Sequence, residues 1–93
     1  MAEPYRVEIL AAARRQLEKL ARSPQGRIRQ AVRALATDPR PPGAKLLSDE
    51  RTIWRIRVGD YRVLYEIRDE QLVVLVIRLG HRREVYRGRR TGG

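Results

Sequence analysis

Apolar residues recur along this chain with two different periods, and each period predicts a different element. "PYRVEIL" (residues 4–10) alternates loosely and predicts an opening strand. From about Ile9 the spacing becomes helical. Leu10, Ala13, Leu17 and Leu20 line one face, while Arg14, Arg15, Glu18, Lys19 and Arg22 fill the other. Glu18 and Arg22 are spaced as a favourable i,i+4 pair would be if one helix carried both. In "SPQG", Ser23 suits an N-cap and Pro24 the first helical position, where no N–H is needed. A second helix carries Ile28, Ala31, Val32 and Leu35 on one face and should stop before Pro39. Two helices on a short turn read as a helical hairpin. "DPRPPGAKLLSDER" (residues 38–51) is rich in Pro and Gly and reads as an irregular surface connector.

Three strands are predicted after it, at about residues 53–58, 61–67 and 72–78. Gly59-Asp60 suits a two-residue hairpin turn with glycine first. Asp69-Glu70 marks the next turn but has no glycine, which leaves its register less fixed. The run "LVVLVI" is apolar on both faces, as a strand with neighbours on both sides would be. The predicted order is β-α-α-β-β-β. This is an α+β fold, a helical hairpin packed on one face of a mostly antiparallel sheet. Residues 1–87 are expected to form one domain, and "GRRTGG" (residues 88–93) a basic flexible tail.

The predicted hairpin sorts its side chains cleanly. With the turn at Gly59-Asp60, Val58 faces Tyr61, Ile56 faces Val63 and Trp54 faces Tyr65, all on one apolar side meant for the helices. The other side sets Arg57 opposite Arg62 and Arg55 opposite Leu64. Two cations directly across a ladder repel, which costs stability unless an anion lies nearby. Solvated arginines paired with Glu66 are the structural alternative. The like-charge pair argues against it. After Arg78, "GHRREVYR" supplies His81, Arg82, Arg83, Tyr86 and Arg87, which the meander could return beside Arg57 and Arg62. Guanidinium groups there would hold phosphates, and the rings would stack on bases.

Composition strengthens this picture. Lys+Arg number 21 against 11 Asp+Glu, a net charge of +10 on 93 residues. So large an excess points to a polyanionic partner, nucleic acid or an acidic protein. A chain this short makes one small core. With no cysteine there is neither disulfide nor thiolate chemistry, and a lone His81 makes a histidine metal cluster unexpected. No apolar run reaches the roughly 20 residues of a membrane span, and the first ten residues do not read as a signal peptide, so a cytoplasmic location is expected.

From Lys45 to Tyr86 the sequence resembles the RelE toxins of the RelE/ParE superfamily of bacterial toxin–antitoxin modules. The resemblance rests on "KLL", "WRIRVGDYRVLYEI", "VVLVI" and "GHRREVY" at their spacing. It implies a metal-independent endoribonuclease without cofactor that enters the ribosomal A site and cuts the mRNA codon there. A ribose 2′-OH would attack the adjacent phosphate. It also implies an acidic antitoxin partner, RelB-like or other. Its functional positions fall on Arg57, Arg62, Arg82, His81 and Tyr86 as catalytic residues, with Lys45, Arg55, Arg83 and Arg87 as RNA or phosphate contacts. Such toxins often carry lysine where this chain has Arg55 and Arg57. Arginine does not readily release a proton near neutral pH, so these residues are expected to clamp phosphate and stabilise charge. Proton transfer would fall to Tyr86, His81 or the ribosome. The same fold also serves ParE toxins, which inhibit DNA gyrase, and a non-catalytic RNA-binding domain is a third reading.

Overall fold

The structure, a computed structural model, describes residues 4–82. The chain begins with β1 (Arg6–Ile9), followed by α1 (Ala11–Glu18) and α2 (Arg22–Ala34). Four more strands follow, β2 (Lys45–Ser48), β3 (Ile53–Val58), β4 (Tyr61–Arg68) and β5 (Val73–His81). A single 3₁₀ turn at Asp69–Gln71 joins β4 to β5. The strands form one sheet in the order β1-β5-β4-β3-β2. β1 lies parallel to β5 and every other pairing is antiparallel. The expected α+β architecture is therefore present, and β5 has strands on both sides, as its double-faced apolar run predicted. Residues 83–93, with Arg83, Tyr86, Arg87 and the expected tail, lie outside the described residues.

Three details differ from the sequence reading. The connector contains β2, a strand too short and too polar in its surroundings to show as an alternating run. α1 starts two residues later than expected, because Ile9 ends the strand. α2 starts earlier than expected, with Ala21 and not Ser23 at its N-cap. Ser23 and Pro24 sit inside the first turn, where the N–H groups have no helical acceptor and proline removes nothing of use. The junction is closed instead by Gln25, whose side-chain amide donates to the Leu17 and Leu20 carbonyls at 3.1 and 3.3 Å.

The core lies between the helical hairpin and one face of the sheet. Ala13 and Leu17 from α1, and Ile28 and Val32 from α2, pack with Leu35 on Ile56, Val63, Tyr65, Ile67, Val74, Val76 and Leu79. Each large apolar side chain buried there is worth about 1.5–3 kcal/mol. One irregularity in β5 makes this possible. Leu64 pairs with Arg78, yet Tyr65 pairs with Val76, so Ile77 is an extra residue in the ladder. This bulge changes the alternation. Val74, Val76 and Leu79 all reach the core, and Arg78 is turned to the other side with Leu64. β1 reaches only as far as Val76 along β5, and beyond it the Leu79 N–H donates to the Gln16 side chain at 2.9 Å. α1 thus satisfies a strand edge that no strand covers.

The connector is pinned at its start. Arg40 grips both oxygens of Asp69 and lies 5.3 Å from the centre of the Trp54 ring. Tyr5 donates to the same carboxylate, and the fully buried Tyr65 donates to the Pro39 carbonyl at 2.7 Å. Burial raises the Tyr65 phenol to about 12. The neutral form is favoured in the fold, so this stabilisation is complete below the ordinary phenol value near 10 and is lost as pH rises towards 12. Urea midpoints measured from pH 9 to 12 should therefore fall more steeply for the native chain than for Tyr65→Phe. Parallel curves would mean that Tyr65 does not govern alkaline unfolding.

Candidate nucleic-acid interface

The side of the sheet away from the helices is built by the β3–β4 hairpin. Its observed register is the predicted one, with Val58 on Tyr61, Arg57 on Arg62, Ile56 on Val63, Arg55 on Leu64 and Trp54 on Tyr65. Gly59 takes a φ of +62°, the conformation that the first position of this turn demands and that other residues adopt at a cost. Val58 and Tyr61 flank a two-residue turn and so exchange backbone hydrogen bonds. Arg57 and Arg62 are then a non-hydrogen-bonded pair, the closer kind, with Cα atoms about 4.5 Å apart.

β2 and β5 widen the charged surface. Lys45 pairs with Arg55, Arg55 with Leu64, and Leu64 with Arg78, which gives one row across four strands. Arg57, Arg62 and Gly80 make the next row towards the turn. Arg62 faces a residue without a side chain, which leaves room above it. Among the described residues none of Lys45, Arg55, Arg57, Arg62 and Arg78 has an ion-pair partner. Glu66, a carboxylate on this side, is held by Arg68 at 3.1 Å. It does not neutralise the arginines as a purely structural sheet would require.

Arg55 departs most from ordinary behaviour. It is only 8% exposed, and its Nε has no hydrogen-bond partner. The Nε of the half-buried Arg62 is likewise buried and unpartnered. An unsatisfied buried donor costs about 1–3 kcal/mol, more when charged. A fold that keeps two such donors on one surface holds them ready for an anion. Their chemistry is that of clamps, because a guanidinium donates in a fixed planar fork and keeps its charge.

The remaining predicted residues divide. The Arg82 N–H donates to the Asp60 carbonyl at 2.9 Å, which ties the end of β5 to the β3–β4 turn, and its side chain is exposed. His81 pairs with Tyr61 and meets that ring edge-on at 6.0 Å. Tyr61 packs on the helix-side core, so His81 belongs to that side of the ladder and is not brought to the arginine rows. Strand alternation explains the separation: His81 is one residue from Gly80, which lies opposite Arg62. Arg78 was missed in the sequence reading. Simple alternation along "LVVLVIR" would put it with the core residues, and only the bulge at Ile77 carries it to the charged side.

A family model described as the ParE toxin of the type II toxin–antitoxin system parDE matches residues 7–86. The chain belongs to this toxin family. Curated relatives place the toxin in the wider RelE/ParE superfamily. It is 35% identical over 85 residues to Toxin RelG of Mycobacterium tuberculosis, covering 90% of this chain and 98% of that one. Among solved structures, a RelBE toxin–antitoxin complex from M. tuberculosis matches with a TM-score of 0.75 at 31% identity, over 87% of this chain and 94% of that chain. An archaeal RelE–RelB complex from Pyrococcus horikoshii matches with a TM-score of 0.78 at 25% identity, over 88% and 99%. Among the described residues no helix of this toxin is long and apolar enough to cross a membrane.

Proposed function

We propose that this toxin is a ribosome-dependent endoribonuclease that cuts mRNA in the A site and so stops translation. The observation that carries the reading is the buried Arg55, whose Nε has no hydrogen-bond partner, in a surface shared with Arg57, Arg62, Arg78 and Lys45. In the reaction the ribose 2′-oxygen bonds to the adjacent phosphorus and the bond to the 5′-oxygen breaks. The 2′-OH gives up its proton, the 5′-oxygen gains one, and the products are a 2′,3′-cyclic phosphate and a 5′-OH. Negative charge grows on the phosphate oxygens as the new bond forms. Arg57, Arg62 and Arg82 are assigned to that charge, in place of a metal. Arg55, Lys45, Arg83 and Arg87 hold flanking RNA. Arginine cannot serve as the base, and His81 sits on the other side of the ladder. Tyr86, named by the resemblance, is then this chain's candidate for proton transfer or for orienting the 2′-OH, with ribosomal RNA groups supplying the rest.

The relatives' complexes with RelB support a protein antitoxin as the natural partner, and net +10 favours an acidic one. Because the matching family model carries the ParE name, gyrase inhibition is the competing activity. Mapping mRNA 5′ ends after brief induction separates the two. New 5′-OH ends within A-site codons are expected. Gyrase-dependent DNA breaks without new mRNA ends would overturn the ribonuclease reading.

A further inference from the structure

α2 runs from one end of the sheet to the other. Near its start the Arg27 side chain lies over the β3–β4 turn, where a Cβ placed on Gly59 would stand 3.8 and 4.0 Å from the two terminal guanidinium nitrogens. Past its other end, the Ala36 carbonyl accepts from the Tyr5 N–H, and the Tyr5 hydroxyl donates to Asp69 in the β4–β5 turn. Charge divides between these two ends. The loops of the Asp69 end carry Asp38, Asp49, Glu50 and Glu70 as well. The opposite end gathers Arg27, Arg57, Arg62 and Arg82 about Gly59, with Asp60 in the turn itself. Among the described residues Asp60 makes no ion pair, and Arg27 makes neither an ion pair nor a hydrogen bond. Arg27 is exposed, and it stands on the helix side of the sheet, away from the arginine rows.

We propose that Arg27 holds a phosphate of the bound nucleic acid, the single strand passing from the arginine rows over the hairpin tip to the helix side. An exposed arginine on a helix is ordinarily a solvated charge. Here its position decides otherwise. Its guanidinium reaches out to the turn, although cations already crowd that end and repel it, and Asp60 does not neutralise it. Unpaired like charge collected at one end of a molecule, with acids at the other, attracts a polyanion to that end first. Arg57 and Arg62 each stand two residues from the turn, about 7 Å along a strand, so one nucleotide chain can touch them and Arg27 in succession. Gly59 serves this path as well as the turn, because it puts no side chain between the strand and Arg27. A flexible single strand can bend round so narrow a tip, tracked by cations along its backbone, whereas a stiff duplex could not. The inference rests on nucleic-acid binding at the arginine rows, and not on cleavage.

The test uses the full chain and fluorescein-labelled oligodeoxythymidines, a tetramer and a decamer, which have no 2′-OH to attack. By fluorescence anisotropy, Arg27→Gln should bind the decamer about fivefold more weakly at 0.1 M salt, and flatten its slope of log K against log salt by about 0.7, the share of one single-strand phosphate contact. The tetramer is short enough to stay on the arginine rows, and Arg27→Gln should bind it as the parent does. Arg27→Lys keeps the charge and should restore most of the slope. Arg51→Gln removes the same charge from an exposed position at the opposite end, and should change neither probe. Equal losses in Arg27→Gln and Arg51→Gln would overturn the proposal as a general effect of net charge. Loss of the tetramer along with the decamer would overturn the path over the tip. So would a duplex decamer that binds as tightly as the single strand and loses as much in Arg27→Gln. An undiminished decamer affinity in Arg27→Gln, or a parent that binds neither probe, would also overturn it. The mapping of mRNA 5′ ends judges the ribonuclease reading separately, so either can fail without the other.

Discussion

Replacing Arg55 with methionine is expected to stabilise the protein while weakening its hold on RNA. Arg55 is 8% exposed with an unpartnered Nε, and it pairs across the ladder with Lys45 on one side and Leu64 on the other. Methionine keeps a flexible chain of similar reach without a buried charge. Removing an unsatisfied donor of this kind should raise stability by about 1–3 kcal/mol, read as a higher urea midpoint at unchanged slope. The same substitution should weaken binding to a non-cleavable 2′-deoxy mRNA analogue on programmed ribosomes. A less stable variant would mean that the guanidinium has a structural partner in solution. Full retention of RNA binding would remove Arg55 from the interface.

Arg62→Ala should lower the single-turnover cleavage rate on programmed ribosomes by roughly 10²–10³, with ribosome affinity changed far less. Arg62 sits opposite both Arg57 and Gly80, with an open position above it, and its Nε is free of internal bonds. Such a donor is suited to charge that appears only as the phosphorus bond forms. Arg62→Lys keeps the charge but loses the planar fork, and should recover part of the rate. Equal losses in rate and affinity would make Arg62 a binding residue. Full activity in Arg62→Ala would dismiss the proposed charge stabilisation.

Much of the interface was legible because a two-residue turn fixes register. Once Gly59-Asp60 closes the hairpin, the pairing of Arg57 with Arg62 follows by counting, and the structure has that pairing. The helices were legible from period, although their ends were not. Ser23 looks like a cap, but the helix begins before it, because proline is tolerated anywhere in a first turn. β2 was hidden among Pro, Gly and charged residues, and with it the second like-charge pair, Lys45 with Arg55. His81 was misplaced relative to the arginines because nearness in sequence says nothing about side when neighbours in a strand point oppositely. Arg78 was lost for a related reason, since no residue type announces an extra position in a ladder.

That extra position makes β5 behave like a reading frame. Substitutions along it change one side of the sheet at a time. Straightening the ladder with Ile77 retained would instead exchange the roles of every residue towards the turn, driving Arg78 inward and Leu79 outward, whereas deleting Ile77 would leave Arg78 outward and Leu79 inward. The charge surface and the core of this toxin are thus free to vary separately by replacement, while the facing of both beyond Val76 hangs on whether this one surplus residue stays out of the count.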